Sequence, residues 1–227
     1  MNLARYVRAA DRRIMPRLRK VAGRHLARQL DWLLFEQKAF GNTRWLGVPT
    51  WKEPTDLWVY QHILVELKPD LVIETGTLYG GSALYLASLC ELIGAGRVIS
   101  VDIQHPRSLP QHARLEYILG SSTAPEVVAR IRAEAARANT VMVILDSDHN
   151  YEHVLDELRL YSTMVTPGSY LIVEDTLFDF TASADFRPGP RAATRDFLAE
   201  NKDFEVDAAR ECYLVTQNPG GYLRRVA

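Results

Sequence analysis

The sequence predicts an α/β protein: a doubly wound, mostly parallel seven-stranded sheet preceded by an N-terminal helical appendage. Three observations carry that expectation. Short apolar runs bounded by turn residues alternate with longer stretches of helical periodicity from Leu71 onward. The first run, Leu71-Val72-Ile73, passes through Glu74-Thr75-Gly76 into a turn with paired glycines, Gly80-Gly81, and then a helix. The later runs close on acidic or hydroxyl residues, as strands do where a sheet presents its carboxyl edge to a ligand.

The elements follow in order. Over residues 1–40, apolar residues recur at helical spacing and Pro16 divides them into two helical pieces. Residues 41–56, rich in Gly, Pro and Trp, are expected as a loop, either with Trp45, Trp51 and Lys52 as lid or wall residues or with the tryptophans packing the appendage onto the body. The appendage and this loop (1–56) are thus separated from an α/β domain over 57–227. Leu57–Leu67 is a helix stopped by Lys68-Pro69. Strand one is Leu71–Glu74; Ser82 is the expected cap of the helix that runs from the glycine turn to about Ile93. Strands follow at Arg97–Asp102, Leu115–Leu119, Val141–Leu145 and Tyr170–Val173, with helices at about Pro125–Ala138, Glu152–Val165 and Ala192–Asn201. Two short strands, Phe204–Asp207 and Cys212–Thr216, are expected to finish the sheet as a hairpin.

Composition excludes several classes. A net charge of −1 gives no global attraction to nucleic acid. Two cysteines, Cys90 and Cys212, offer neither a disulfide framework nor a thiolate metal pattern. No apolar run reaches the length of a membrane span, and the N-terminus lacks a secretory h-region, so a cytoplasmic location is expected. The charge is uneven, however. Residues 1–40 carry ten Lys/Arg against three acids, which suits a solvated docking face, or peripheral contact with anionic lipid or an acidic partner.

The expected strand ends are Glu74, Asp102, Ser121-Ser122, Asp146 and Glu174-Asp175, with no Lys or Arg among them. The glycine turn is no P-loop, for no Lys-Ser/Thr follows it, and its G-x-x-x-G-G spacing is not that of a dinucleotide fingerprint. An acid beside the turn repels pyrophosphate but welcomes an ammonium or a sulfonium. S-adenosylmethionine fits that requirement, with Asp102 placed to bind its ribose diol. The second constellation is Asp146-Ser147-Asp148-His149 beside Glu174-Asp175. Converging carboxylates destabilise one another unless a cation intervenes. All-oxygen ligation with an optional His suits Mg²⁺ or Mn²⁺, and His149 is placed to accept a proton near neutral pH.

The runs VIETGTLYGGSAL, VISVDI, GSS, ILDSDHNYEHVLDEL, MVTPGSYLIVEDT and the terminal GYLRR resemble the cephalosporin hydroxylase/rhamnosyl O-methyltransferase family, from about Trp45 to the end. That resemblance implies a Rossmann-like class I methyltransferase fold and a Mg²⁺-assisted, S-adenosylmethionine-dependent O-methyltransferase. It implies that Asp146, Glu174 and Asp175 ligate the metal, with Asp148 an extra acid beside the motif, and that His149 is the base. It implies a cofactor site lined by Glu74, Gly76, Tyr79, Gly80, Gly81, Ser82, Asp102, Ser121 and Ser122, with Asp146 shared between cofactor and metal. The expected acceptor is a hydroxyl of a sugar or polyhydroxylated natural product, with Phe178, Phe180 and Phe186 as an apolar wall. A homo-oligomer is expected, built through the N-terminal helices. Two other readings stand beside this one: an NAD-dependent oxidoreductase on the same core, and a non-catalytic S-adenosylmethionine-binding partner protein.

Overall fold

The computed structural model of the protein describes residues 23, 25–104, 106, 108–180 and 188–227. Most of the basic N-terminal segment, with Pro16, and Phe186 lie outside the described residues. The chain enters through helix α1 (residues 25–36), a 3₁₀ turn at Ala39–Asn42 and a small antiparallel hairpin of β1 (Arg44–Trp45) and β2 (Val48–Pro49). It continues through α2 (Pro54–Leu67), β3 (Leu71–Thr75), α3 (Gly81–Ile93), β4 (Arg97–Asp102), β5 (Leu115–Leu119), α4 (Pro125–Ala135), β6 (Val141–Leu145), α5 (Tyr151–Ser162) and β7 (Tyr170–Val173). It ends in α6 (Pro190–Glu200), β8 (Phe204–Val206) and β9 (Tyr222–Arg225).

The main sheet has seven strands in the order β5-β4-β3-β6-β7-β9-β8. Its first five strands are parallel, and β9 pairs antiparallel with both β7 and β8. The chain therefore runs outward from β3 in one direction and then returns past it to β6, which puts the reversal of strand order between β3 and β6. Crevices form at such a switch point because the connections leave the sheet on opposite faces.

Alternation along the central strands makes two cores. Leu71 and Ile73 of β3, with Val141 and Val143 of β6, pack under α4, α5 and α6; Val72, Met142 and Ile144 pack under α2 and α3. Both faces are covered, so β3 and β6 are buried at every position. Pro54, Pro125 and Pro190 start α2, α4 and α6, where the missing N–H costs nothing and φ is already helical. Among the described residues no helix is long and apolar enough to cross a membrane.

Four local expectations are corrected. The 41–56 loop contains the β1/β2 hairpin. Trp45 anchors this hairpin, donating through its indole N–H to Ser88 Oγ (3.1 Å) and packing edge-on to Tyr85. Ser82 lies inside α3; the cap position belongs to Gly80, whose φ of 75° suits glycine. Cys212–Thr216 is not a strand: Leu214 has a φ of 69°, which breaks extension, and the chain reaches the sheet only at β9. β9 is admitted by Gly221, where a Cβ would stand 2.1 Å from the Val173 carbonyl oxygen. The helices at α4, α5 and α6 also stop short of their expected ends or begin earlier, within a turn.

Candidate active site

The carboxyl ends of β3, β4, β6 and β7 open on a cavity of about 660 Å³. Of the residues singled out from the sequence, Gly76, Tyr79, Ser82 and Asp102 line it from the β3 and β4 side, and Asp146, His149 and Asp175 from the β6 and β7 side. Part of the lining is aromatic. Trp51 packs edge-on to Tyr79 and to Phe40, and Phe178 packs edge-on to Phe35 and to His149. Phe35 and Phe40 belong to the appendage and carried no signal for this role, since nothing in their local pattern says which surface they face. Phe180 does not line the cavity; the Arg191 guanidinium stacks on its ring at 4.0 Å.

The glycine turn is built for close approach. Gly76 has a φ of 87°, and a Cβ there would lie 1.9 Å from the Asp146 carbonyl oxygen. Asp102 clamps the turn: Oδ2 accepts from the Thr77 and Leu78 backbone N–H groups (2.8 and 3.0 Å), and Oδ1 accepts from Gln104 N–H (3.0 Å). Gly80 and Gly81 do not line the cavity. They admit neighbours instead: a Cβ on Gly80 would meet the Tyr117 hydroxyl at 2.8 Å, and one on Gly81 the Pro49 carbonyl oxygen at 2.1 Å. Glu74 is fully buried behind the turn, and its Oε2 accepts from Ser100 Oγ (2.7 Å). Burial raises its carboxyl to about 7, against the Lys52 charge and the Ser82 and Ser100 hydroxyls. Ser121 and Ser122 stand off the cavity lining; the Ser122 carbonyl accepts from Tyr161 Oη (2.8 Å), and its hydroxyl lies 3.2 Å from His153 Nε2.

The acidic rim holds Lys52, expected only as a lid or wall residue and absent from the cavity lining. Lys52 reaches in from the segment after β2 and is buried, with Nζ paired to Asp146 Oδ2 and 2.6 Å from Glu174 Oε2. The other Glu174 oxygen accepts from Tyr60 Oη of α2 (2.7 Å). Burial alone would discharge the ammonium, but the Asp146, Glu174 and Glu74 charges outweigh it and hold Lys52 protonated. Glu174 is pushed well above the usual carboxylate range by burial and the Asp146 charge, with Lys52 opposing. Asp175 is raised to about 6, chiefly by burial, with His149 opposing and Asp146 reinforcing.

Among the described residues, Asp146, His149 and Asp175 each offer a ligand atom within 4.8 Å of the others'. His149 Nε2 lies 3.4 Å from Asp175 Oδ2. Asp175 sits at a φ of 56°, a costly conformation for a non-glycine residue, and its N–H donates to Asn218 Oδ1 (2.9 Å). Glu174 is outside this group. Asp148 is also outside it, its Oδ1 accepting from the Asn150 N–H (2.9 Å).

Two carboxylates and an imidazole at this separation suit a hard divalent cation that keeps open positions for water or substrate oxygen. No Lys or Arg is among the described lining residues, while Asp102, Asp146 and Asp175 are. A cavity so charged accommodates a sulfonium and an ammonium and repels a pyrophosphate.

Residues 37–226 match the family model described as Rhamnosyl O-methyltransferase/CmcI. A rhamnosyl O-methyltransferase of Mycobacterium tuberculosis is 38% identical over 200 residues, covering 82% of this chain and 81% of that protein. One from Mycobacterium leprae is 40% identical over 179 residues, covering 76% and 78%. A CmcI structure with Mg and SAM superposes with a TM-score of 0.65 at 23% identity, covering 82% of this chain and 78% of that one. A second CmcI structure, with SAH, gives 0.63 at 23% identity, covering 83% and 84%; at this identity the two support the fold.

Proposed function

Because this chain belongs to the rhamnosyl O-methyltransferase/CmcI family, it is an S-adenosylmethionine-dependent O-methyltransferase, and we propose that Mg²⁺ assists it and that its acceptor is a hydroxyl of a sugar or polyhydroxylated natural product. Family membership sets aside the nicotinamide-dependent and non-catalytic readings. The observation that carries the acceptor assignment is the meeting, in one cavity, of the Asp146–His149–Asp175 group with the aromatic wall of Trp51 and Tyr79. Flat aromatic faces receive the C–H faces of sugar rings, and carboxylates and a cation take their hydroxyls.

Each residue has a part in this reading. Asp146 and Asp175 hold the metal, and Glu174 joins them only where Lys52 releases it. Gly76, Tyr79, Ser82 and Asp102 border the cofactor directly. Glu74, Gly80, Gly81, Ser121 and Ser122 support that border from behind, through charge and close packing. When bound, the cofactor's sulfonium supplies an activated methyl group and the cation lowers the pKa of a hydroxyl. His149 takes the acceptor's hydroxyl proton, and the Asp175 carboxylate beside its Nε2 steadies the imidazolium that results. The cavity walls hold acceptor and methyl donor in line, which supplies much of the rate when the donor is already activated.

The homo-oligomer, the cytoplasmic location and the peripheral contact of the basic N-terminus with anionic lipid are also proposed. They rest on the helical appendage, the ordinary globular composition and the ten Lys/Arg of residues 1–40.

Methyl transfer from radiolabelled S-adenosylmethionine to a panel of rhamnosyl and other glycosides, with and without Mg²⁺, tests the proposal. A glycoside product whose formation stops in EDTA supports it. Transfer only to non-glycosidic phenols would overturn the sugar acceptor, and equal rates in EDTA would overturn the metal's part.

A further inference from the structure

We propose that Lys52 is a built-in counter-ion of the acidic rim: its ammonium neutralises Asp146 and Glu174 before a divalent cation binds, and gives up those oxygens when the cation arrives. The inference rests on the metal-assisted reading above.

The geometry makes the two cations compete. Lys52 Nζ holds Oδ2 of Asp146 and lies 2.6 Å from Oε2 of Glu174, while Tyr60 holds Oε1 of Glu174. Both oxygens of Glu174 are thereby taken by this chain's own donors, and so is one of the two oxygens of Asp146. A metal that draws on Glu174, or on both oxygens of Asp146, has to displace the ammonium.

The backbone around Lys52 is pinned, so the exchange belongs to the side chain. Pro49 lies against Gly81 so closely that no Cβ fits there, and Thr50 N–H donates to the Thr43 carbonyl (3.0 Å). The Trp51 ring packs against Phe40 and Tyr79, and α2 begins at Pro54. A lysine side chain has a flexible four-carbon stem and a compact charge that suit such a movement.

The displaced ammonium also has a waiting acceptor. Glu74 is fully buried, its charge acts on Lys52, and its Oε1 has no hydrogen-bond partner among the described residues. A shift of Nζ from Asp146 and Glu174 toward Glu74 keeps its positive charge within the rim while clearing the ligand oxygens. Lysine thus keeps the acids together in the free enzyme at the expense of divalent-cation affinity.

Calorimetric titration of Mg²⁺ and Mn²⁺ into the full chain, with melting temperatures in EDTA, tests this for wild type, Lys52→Met and Lys52→Arg. Lys52→Met is expected to melt lower in EDTA yet bind Mg²⁺ about tenfold or more tighter, because a competing positive charge has gone. Lys52→Arg, which keeps the charge, should stay near wild type. Metal affinity unchanged or weaker in Lys52→Met overturns the proposal and leaves the metal reading standing. Binding by Lys52→Met alone supports the counter-ion while overturning metal assistance in the wild type; binding by neither chain overturns both. Should Lys52→Met not fold, ¹³Cε-lysine NMR of the wild type reads the same event. The Lys52 signal, identified by its loss in Lys52→Arg, must move on adding Mg²⁺, and its indifference would sink the idea.

Discussion

Gly76 and Asp146 touch backbone to backbone: a Cβ on Gly76 would stand 1.9 Å from the Asp146 carbonyl oxygen and 2.6 Å from its carbon. The turn after β3 and the turn after β6 therefore cross with no room for a side chain, and this crossing fixes Asp146 against the glycine turn. Gly76 also has a φ of 87°. Gly76→Ala combines backbone strain with overpacking and is expected to cost about 2–5 kcal/mol of stability. Urea denaturation measures the loss, and S-adenosylhomocysteine titration should show binding lost with it. A variant of native stability that still binds would mean that the crossing is loose.

His149 lies against Phe178 and Asp175, on the β6 and β7 side of the cavity. His149→Ala is expected to lower kcat by about 10²–10⁴ as a lost general base, with S-adenosylhomocysteine affinity within a few fold of wild type. A kcat within threefold of the wild-type value would remove His149 from proton transfer. Because the imidazole also sits in the Asp146–His149–Asp175 group, Mg²⁺ titration of the same variant separates a base from a ligand.

Much of this was legible along the chain, and the reason is local. The parallel strands are apolar runs between strong turn signals, and their boundaries follow from residues adjacent in sequence. Residues at the carboxyl ends of such strands must share a rim, which is why the sequence alone puts Asp102, Asp146 and Asp175 together. What escaped was non-local. Lys52 precedes β3 by 19 positions and no periodicity tells that its stem threads to Asp146 and Glu174. Clustered acids call for a positive charge, and a lysine from elsewhere in the chain supplies part of it. The family resemblance implies that Gly80 and Gly81 line the cofactor site; here the backbone of Gly81 faces Pro49. The Cys212–Thr216 run has a strand's composition, yet it is Gly221 that lies against the Val173 carbonyl with no room for a Cβ, and the pairing with β7 falls to Tyr222–Arg225.

Tyr60 offers a test of how the rim is supported from behind. Its hydroxyl donates to Glu174 Oε1 (2.7 Å) and accepts from Asn218 Nδ2 (3.1 Å), and the ring is almost fully buried beside Tyr222. Tyr60→Phe keeps the ring and removes the hydroxyl, which leaves a buried carboxylate oxygen and an amide N–H short of a partner. The expected cost is about 1–3 kcal/mol by chemical denaturation. Addition of Mg²⁺ should restore part of it if the cation draws on Glu174, whereas an identical loss with and without Mg²⁺ would place Glu174 outside the metal's coordination.

The appendage is latched by an acid that does not favour its own ionisation. Asp31 of α1 is buried; its Oδ1 accepts from Thr216 N–H (3.2 Å), and it faces the acids Asp56 and Glu53. Burial, then the Asp56 charge, raise its carboxyl to about 7, against the Thr216 hydrogen bond. An acid whose folded pKa lies above its unfolded value binds more protons when folded. Its contribution is fully present below about pH 4 and is lost as pH rises through about 7. Asp31→Asn keeps the acceptor oxygen for Thr216 and removes the charge. It should leave stability unchanged near pH 3.5 and raise it at pH 8 by about 1 kcal/mol, after discounting for solvent screening. Melting curves across pH 4–8 measure the difference, and parallel curves for the two chains would show that Asp31 titrates with an ordinary pKa. Because Asp31 joins α1 to the segment before β9, hydrogen exchange at Thr216 should slow in the variant over the same pH window.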